Sequence, residues 1–243
     1  MARRHIALGI DIGTHQVKAV IAERTNGKGR GTPQILGTGI AESKGLRHGY
    51  IINQGDVARS VKAALAQAEH TAQVKPKRAY ISIGGVSLDE FFSKGEAVVS
   101  RADSEITERD VENAAAASEH AIPKQILLNR KIVHSVPLSF KLDGETVLGN
   151  HPIGMKGSKL SVQTLFITCI EQHLNDLVQA VESTGIEVED VMASPLAASF
   201  VTLTKTQKKA GCVLANIGAE TVSIVVFEDG IPISLKVFPT GSS

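Results

Sequence analysis

The chain has 243 residues, 42% hydrophobic and 21% charged, with a net charge of +1 at neutral pH. That is the make-up of a globular protein with a sizeable core, and it excludes a strong electrostatic pull toward nucleic acid or anionic lipid. No run is apolar enough to span a bilayer, no secretory signal pattern is read, and the eight histidines show no metal-ligand spacing. The two cysteines, Cys169 and Cys212, sit in apolar, strand-like contexts and read as buried free thiols rather than a disulfide or metal site.

Residues 6–22 open the chain with Ile6, Leu8 and Ile10 in alternation, a polar interruption at Asp11-Ile12-Gly13-Thr14, and renewed alternation at Val17, Ala19 and Ile21. The pattern predicts strand, tight turn, strand. No helix follows the glycine, which excludes a dinucleotide fingerprint, and no Gly-Lys-Ser/Thr marks a Walker loop. A carboxylate and a glycine where two strands turn back suit a phosphate held by backbone N–H groups, with Asp11 holding a hydrated Mg²⁺. An ordinary Asp-Gly hairpin is the other reading of the same residues. A basic turn at Asn26–Pro33, read as a solvated tip, leads to a third strand, Gln34–Ala41, and Gly45 and Gly49 mark a loop. Asp56 reads as the N-cap of a helix to about Thr71, with Val57, Val61, Ala64, Leu65 and Ala68 on one face. A basic loop, Lys75–Arg78, precedes a buried-type strand at Ala79–Ile83 that Gly84-Gly85 closes. The order to this point is β-β-β-α-β.

From Val86 the character changes. Phe91-Phe92 and Ala97–Ser100 read as two short strands, and Thr107-Glu108-Arg109-Asp110 as a capping-box-like helix start, the helix stopping before Pro123. Ile126–Phe140 reads as a strand, Asp143-Gly144-Glu145 as a turn and His151–Met155 as a loop, so that residues from Asp89 to about Ser158 form a small α+β insert. Leu160–Cys169 then alternates as a strand, Glu171–Thr184 is a helix stopped by Gly185, Val188–Ala193 a strand, Pro195–Thr204 a helix and Lys205–Lys209 a polar loop.

The opening pattern then recurs. Cys212–Ala215 is a strand, Asn216-Ile217-Gly218-Ala219 a turn, Thr221–Phe227 a second strand, and Asp229-Gly230 turns into a third, Ile231–Phe238. Two copies of one strand–turn–strand unit in one chain signal an internal duplication. Two such hairpins facing across a cleft can grip a nucleotide's phosphates from both sides.

These motifs resemble those of the FtsA family of bacterial cell-division proteins, within the actin, Hsp70-chaperone and sugar-kinase superfamily. Gly9–Thr14 resembles the first phosphate motif, Ser82–Gly85 the end of the first lobe, and Gly211–Phe227 the second phosphate motif. Glu105-Ile106-Thr107 with Asp110-Val111, His134–Pro137 and Pro152–Met155 resemble motifs of the family's insert, and Ser194–Ser199 the segment joining the lobes. The resemblance implies an α/β fold: an actin-like ATPase (ribonuclease H-like) first lobe over 1–85 and 160–198, an inserted α+β subdomain over 86–159, and the start of a second lobe over 199–243. It implies ATP with Mg²⁺ in the complete protein and only weak binding by this chain, nucleotide contacts at Asp11, Gly13, Thr14, His15, Gln16, Gly218, Ala219, Glu220 and Thr221, and a metal held by Asp11 through water.

Two departures bear on that expectation. The family's second motif usually reads Asp-Ile-Gly-Gly-Gly-Thr, whereas here Asn216 replaces the carboxylate and Glu220 brings a negative charge beside the phosphates. Both argue against hydrolysis, and the second against tight binding. Phe238–Ser243 resembles a point where the family continues, so the sequence reads as a fragment, without the adenosine-cupping glycine motif, the surface for the ring protein FtsZ and the C-terminal amphipathic membrane helix. The function implied is non-catalytic. The complete protein would bind ATP, self-associate into filaments through the insert, meet other division proteins, and link the FtsZ ring to the cytoplasmic face of the cell membrane at the division site. A PilM-like pilus-assembly protein is the nearest alternative. A sugar kinase or exopolyphosphatase is a further one, for which no general base besides Asp11 is found.

Overall fold

The computed structural model describes residues 5–24 and 33–242, and the basic turn expected at 26–33 lies outside them apart from Pro33. In chain order the elements are β1 (His5–Ile12), β2 (Gln16–Arg24), β3 (Gln34–Glu42), β4 (Leu46–Arg47), β5 (Tyr50–Ile51), α1 (Gln54–Ala72), β6 (Arg78–Ile83), β7 (Asp89–Val98) and α2 (Glu108–His120). There follow β8 (Arg130–Leu142), β9 (Glu145–Thr146), a 3₁₀ turn (Leu148–Asn150), β10 (Lys159–Ile170), α3 (Glu171–Glu182), β11 (Glu187–Ala193), α4 (Ser194–Thr202), α5 (Lys205–Ala210), β12 (Cys212–Ile217), β13 (Val222–Glu228) and β14 (Ile231–Phe238).

The first sheet has the order β11-β6-β1-β2-β3. β1, β2 and β3 form an antiparallel meander, β6 joins β1 in parallel with Ser82 opposite Asp11, and β11 joins β6 in parallel. The alternation that predicts β1 and β2 is the one that buries Leu8, Ile10, Val17, Ala19 and Ile21 in the large core that the apolar face of α1 shares. α1 starts slightly earlier than predicted. Asn53 is its N-cap, its side chain accepting the Asp56 N–H at 3.1 Å, so Asp56 lies in the first turn. The Gly45–Gly49 stretch expected as a loop holds the β4–β5 hairpin, and the two short strands expected around Phe91 and Ala97 are one strand, β7.

The second sheet, β7-β10-β8-β9, is separate from the first and corrects the expected boundary at Leu160. β10 pairs along its length with β7 on one side and β8 on the other, so it belongs to the insert's sheet, and the first lobe resumes at α3. The alternation that identifies β10 as a strand does not say which sheet pairs with it. The strand serves two cores. Leu160 and Val162 lie with Ile106, Ala114 and Phe140 in the insert's own core, while Leu165, Ile167 and Cys169 join the large core under the first sheet.

Residues 205–209, expected as a polar loop, are helix α5. Thr204 Oγ1 accepts the Gln207 N–H at 3.2 Å while Gln207 Oε1 accepts the Thr204 N–H at 2.8 Å, a reciprocal cap that starts a helix on otherwise polar residues. The third sheet, β12-β13-β14, is an antiparallel meander like the start of the first, and Val225, Phe227 and Leu235 bury into the large core. Both cysteines are free. Cys169 is fully buried, and burial pushes its thiol up to about 11. Cys212 is half-buried, contrary to expectation, because it opens β12, an edge strand of its sheet.

Candidate functional site

The duplicated hairpins turn in the same way. Ile12 and Val17 are the last pair of β1 and β2, and the Gly13 N–H then donates to the Gln16 carbonyl at 3.1 Å. Ile217 and Val222 are the last pair of β12 and β13, and the Gly218 N–H donates to the Thr221 carbonyl at 2.9 Å. A Cβ on either glycine would stand 3.1 Å from that same carbonyl, so each turn is closed around a residue without a side chain. Glycine-closed turns of this kind gather backbone dipoles into anion-binding concavities. Gly13, Thr14, Gln16, Gly218, Ala219, Glu220 and Thr221 are half-buried, and His15 is exposed.

Asp11 leads into the first turn. β6 brings Ser82 beside it, and the Ser82 hydroxyl donates to Asp11 Oδ1 at 2.5 Å. Among the described residues no group of three or more His, Cys, Asp or Glu side chains is arranged to hold a metal ion. One half-buried carboxylate with a hydroxyl on it suits a cation that keeps most of its water and takes its other oxygens from phosphates, which is the habit of Mg²⁺. Asn216, at the place equivalent to Asp11 in the second hairpin, is exposed and carries no charge to contribute.

Glu220 does not stay beside its own turn. Its carboxylate crosses to the first half of the chain and accepts the His48 N–H at 2.5 Å, with His48 Nδ1 3.4 Å from the Glu220 carbonyl. His48 and Gly49 form the tip of the β4–β5 hairpin with positive φ angles of 48° and 87°, the pattern of a primed two-residue turn. Gly49 rests on Gly85, where a Cβ would come 2.5 Å from the Gly85 Cα, and the Val86 N–H donates to the His48 carbonyl at 3.3 Å. The Tyr50 ring packs 5.2 Å from that of His173, whose Nδ1 lies 2.6 Å from the Ser87 hydroxyl. Burial holds the His173 pKa below its usual value, against the opposing influence of the Gly49 backbone and Asp176.

The structure thus joins Asp11 to Ser82 and Glu220 to His48. The sequence alone does not single out Ser82 or His48 for these roles. In the sequence Ser82 shows only as the start of Ser82–Gly85, and His48 only as a residue of the Gly45–Gly49 stretch, which runs to the tip of a hairpin and is not an open loop.

A family model described as "SHS2 domain inserted in FTSA" matches residues 91–168, from β7 through nearly all of β10. The cell division protein FtsA of Bacillus subtilis is 30% identical over 242 residues, 99% of this chain. The chain is similar to FtsA proteins along nearly its whole length. FtsA of Streptococcus pneumoniae is 31% identical over 94% of the chain, and FtsA of Escherichia coli K12 27% over 97%. The chain spans about half the length of these FtsA proteins, 53%, 48% and 54% respectively. Among solved structures, the chain is similar to the PilM–PilN type IV pilus biogenesis complex, with a TM-score of 0.67 and 17% identity, covering 98% of this chain and 63% of the other. It is also similar to the ethanolamine utilization protein EutJ of Carboxydothermus hydrogenoformans, with a TM-score of 0.52 and 14% identity over 98% and 53%. At such identities the likeness is one of fold, the actin-like α/β fold.

Proposed function

We propose that the chain is the nucleotide-binding core of a bacterial division protein, holding Mg-ATP between the turns at Gly13 and Gly218. The observation that carries this reading is the repeated turn, closed in both halves by a glycine N–H bonded to the carbonyl three residues on. Asp11, steadied by Ser82, would hold the hydrated cation, with Thr14, His15 and Gln16 on one side of the phosphates and Ala219 and Thr221 on the other. ATP is bound and not turned over in this reading. In-line attack on the γ-phosphate needs a positioned water and neutralised charge, and Asn216 supplies neither a base nor a charge. Similarity to FtsA supports the division role, with FtsZ and further copies of the chain as partners, the insert as the self-association surface, and the cytoplasmic face of the membrane as the place of action.

The test is calorimetric. Mg-ATP should bind to the wild-type chain, Asp11→Ala should weaken that binding by about tenfold or more, the scale of losing a charged anchor, and no phosphate release should accompany it. Absence of binding would end the nucleotide reading. Turnover abolished by Asp11→Ala would make the protein an enzyme. Co-sedimentation with FtsZ filaments tests the division role separately.

A further inference from the structure

We propose that Glu220 is a built-in anion that latches the second turn to the first half of the chain, and that a nucleotide's phosphates must displace its carboxylate to enter. The inference rests on the reading of the two glycine turns as a phosphate site and adds a gate to it.

The donor is fixed and the acceptor is the movable part. The His48 N–H sits at a hairpin tip whose positive φ angles, contact with Gly85 and bond from Val86 to the His48 carbonyl hold it in place. The tip is also tied to α3 through Tyr50 and His173. Glu220 reaches this donor from a residue separation of 172, so the bond joins the two halves and is made or lost by one side chain. Its register is informative. β6 ends at Ile83 and leads into Gly84-Gly85, which lies against the hairpin tip, and the same strand carries Ser82 on Asp11. The latch therefore seats the second turn against the strand that supports the first.

The chemistry is that of a captured phosphate oxygen. A carboxylate accepting a backbone N–H makes the charge-assisted bond that a phosphate oxygen makes at such a donor. A tethered carboxylate has the advantage over a free anion, because it loses no translational freedom on binding. While it is in place it also sets a negative charge where further negative charge must approach. The equivalent residue of the first turn is His15, exposed and not an acid, so the first turn has no carboxylate at this position. The two halves are thereby bridged by protein rather than by nucleotide.

The experiment compares wild type with Glu220→Ala and Glu220→Gln, reading hydrogen–deuterium exchange at the His48 amide and calorimetric binding of Mg-ATP. Glu220→Ala should speed His48 exchange by about tenfold or more, as expected when a protecting bond is removed from a half-buried site. It should also tighten Mg-ATP by about tenfold, the equivalent of one displaced hydrogen bond. Glu220→Gln keeps an acceptor without the charge and should fall between on both counts; it carries the test if the alanine variant does not fold. Unchanged exchange at His48 overturns the latch, whatever the nucleotide result. Measurable Mg-ATP binding that is equal in wild type and Glu220→Ala overturns the gate. Faster exchange with no Mg-ATP binding in any form overturns the nucleotide site itself and the gate with it, an outcome distinct from failure of the latch alone.

Discussion

Single side chains bind the halves of this molecule together, and Glu90 is the plainest case. Its side chain, 7% exposed, accepts the Leu235 N–H at 2.6 Å and the Ser234 hydroxyl at 3.1 Å, and pairs with Lys236 at 3.2 Å. It thus docks the third sheet onto β7. Glu90→Ala would strand a buried backbone donor and should cost about 2–4 kcal/mol, with Glu90→Gln costing less because an amide oxygen still accepts. Urea unfolding of the two variants checks this, and equal losses would place the stabilisation in packing and not in the bonds. At this scale the sequence showed Asp11, Gly13 and Gly218, whose neighbours in the chain set their turns. It did not show what Glu90 and Glu220 touch, because their partners lie 145 and 172 residues away and only folding brings them close.

Helices lie against strands here where glycine leaves room. A Cβ at Gly39 of β3 would come 1.9 Å from the Ala64 carbonyl of α1, and one at Gly95 of β7 would come 2.1 Å from the Ser118 nitrogen of α2. Gly39→Ala and Gly95→Ala must push a helix off its sheet and should each cost about 1–3 kcal/mol, as overpacking does. Gly55 is the contrast. It lies in the first turn of α1, a Cβ there would meet nothing closer than 3.5 Å, and Gly55→Ala should leave stability unchanged or raise it by up to about 1 kcal/mol. Thermal or urea denaturation of the three variants separates these outcomes. Period and capping made most elements legible, down to the pairing of Thr107 and Asp110 at the start of α2, where Asp110 Oδ2 accepts both the N–H and the hydroxyl of Thr107. α5 escaped because its five polar residues outweighed the Thr204–Gln207 pair. The β4–β5 hairpin escaped because its two-residue strands are too short to show a period.

Acid sensitivity belongs to the whole molecule, because two imidazoles, the buried His173 and the half-buried His134, stand at junctions. His134 of β8 accepts the Ala193 N–H at 3.0 Å through Nε2, tying the insert's sheet to the end of β11, and burial holds its pKa down against the opposing charge of Asp190. His173 is held down in the same way between α3 and the hairpin tip. Both fold with pKa values below the ordinary 6.5, so below that pH the unfolded chain takes up protons that the folded chain refuses. The stability these groups allow is complete above about pH 6.5 and declines as the pH falls toward their folded values. Urea midpoints should drop between pH 7.5 and 5.5, and the drop should shrink in a His134→Gln, His173→Gln double variant. A second expectation concerns lipid. None of the helices of the described residues is long and apolar enough to cross a membrane, and α1 and α3 turn Val57, Val61, Leu65, Leu177 and Val181 into the core. The 243-residue chain should stay in the supernatant with anionic vesicles at physiological salt. Co-sedimentation would show that an apolar face leaves the core to meet the membrane.

The sequence by itself determined the local units: which segments alternate, where helices start, and that one strand–turn–strand unit occurs twice with an aspartate in the first copy and an asparagine in the second. These follow from interactions within a few residues, where side-chain period and turn chemistry act. Only the tertiary structure decided that β10 belongs to the insert's sheet while filling two cores, and that the carboxylate of Glu220 meets the His48 backbone. Strand partners and long-range acceptors are chosen by which surfaces the whole chain buries together, and an alternating run pairs equally well with either sheet until that burial is complete.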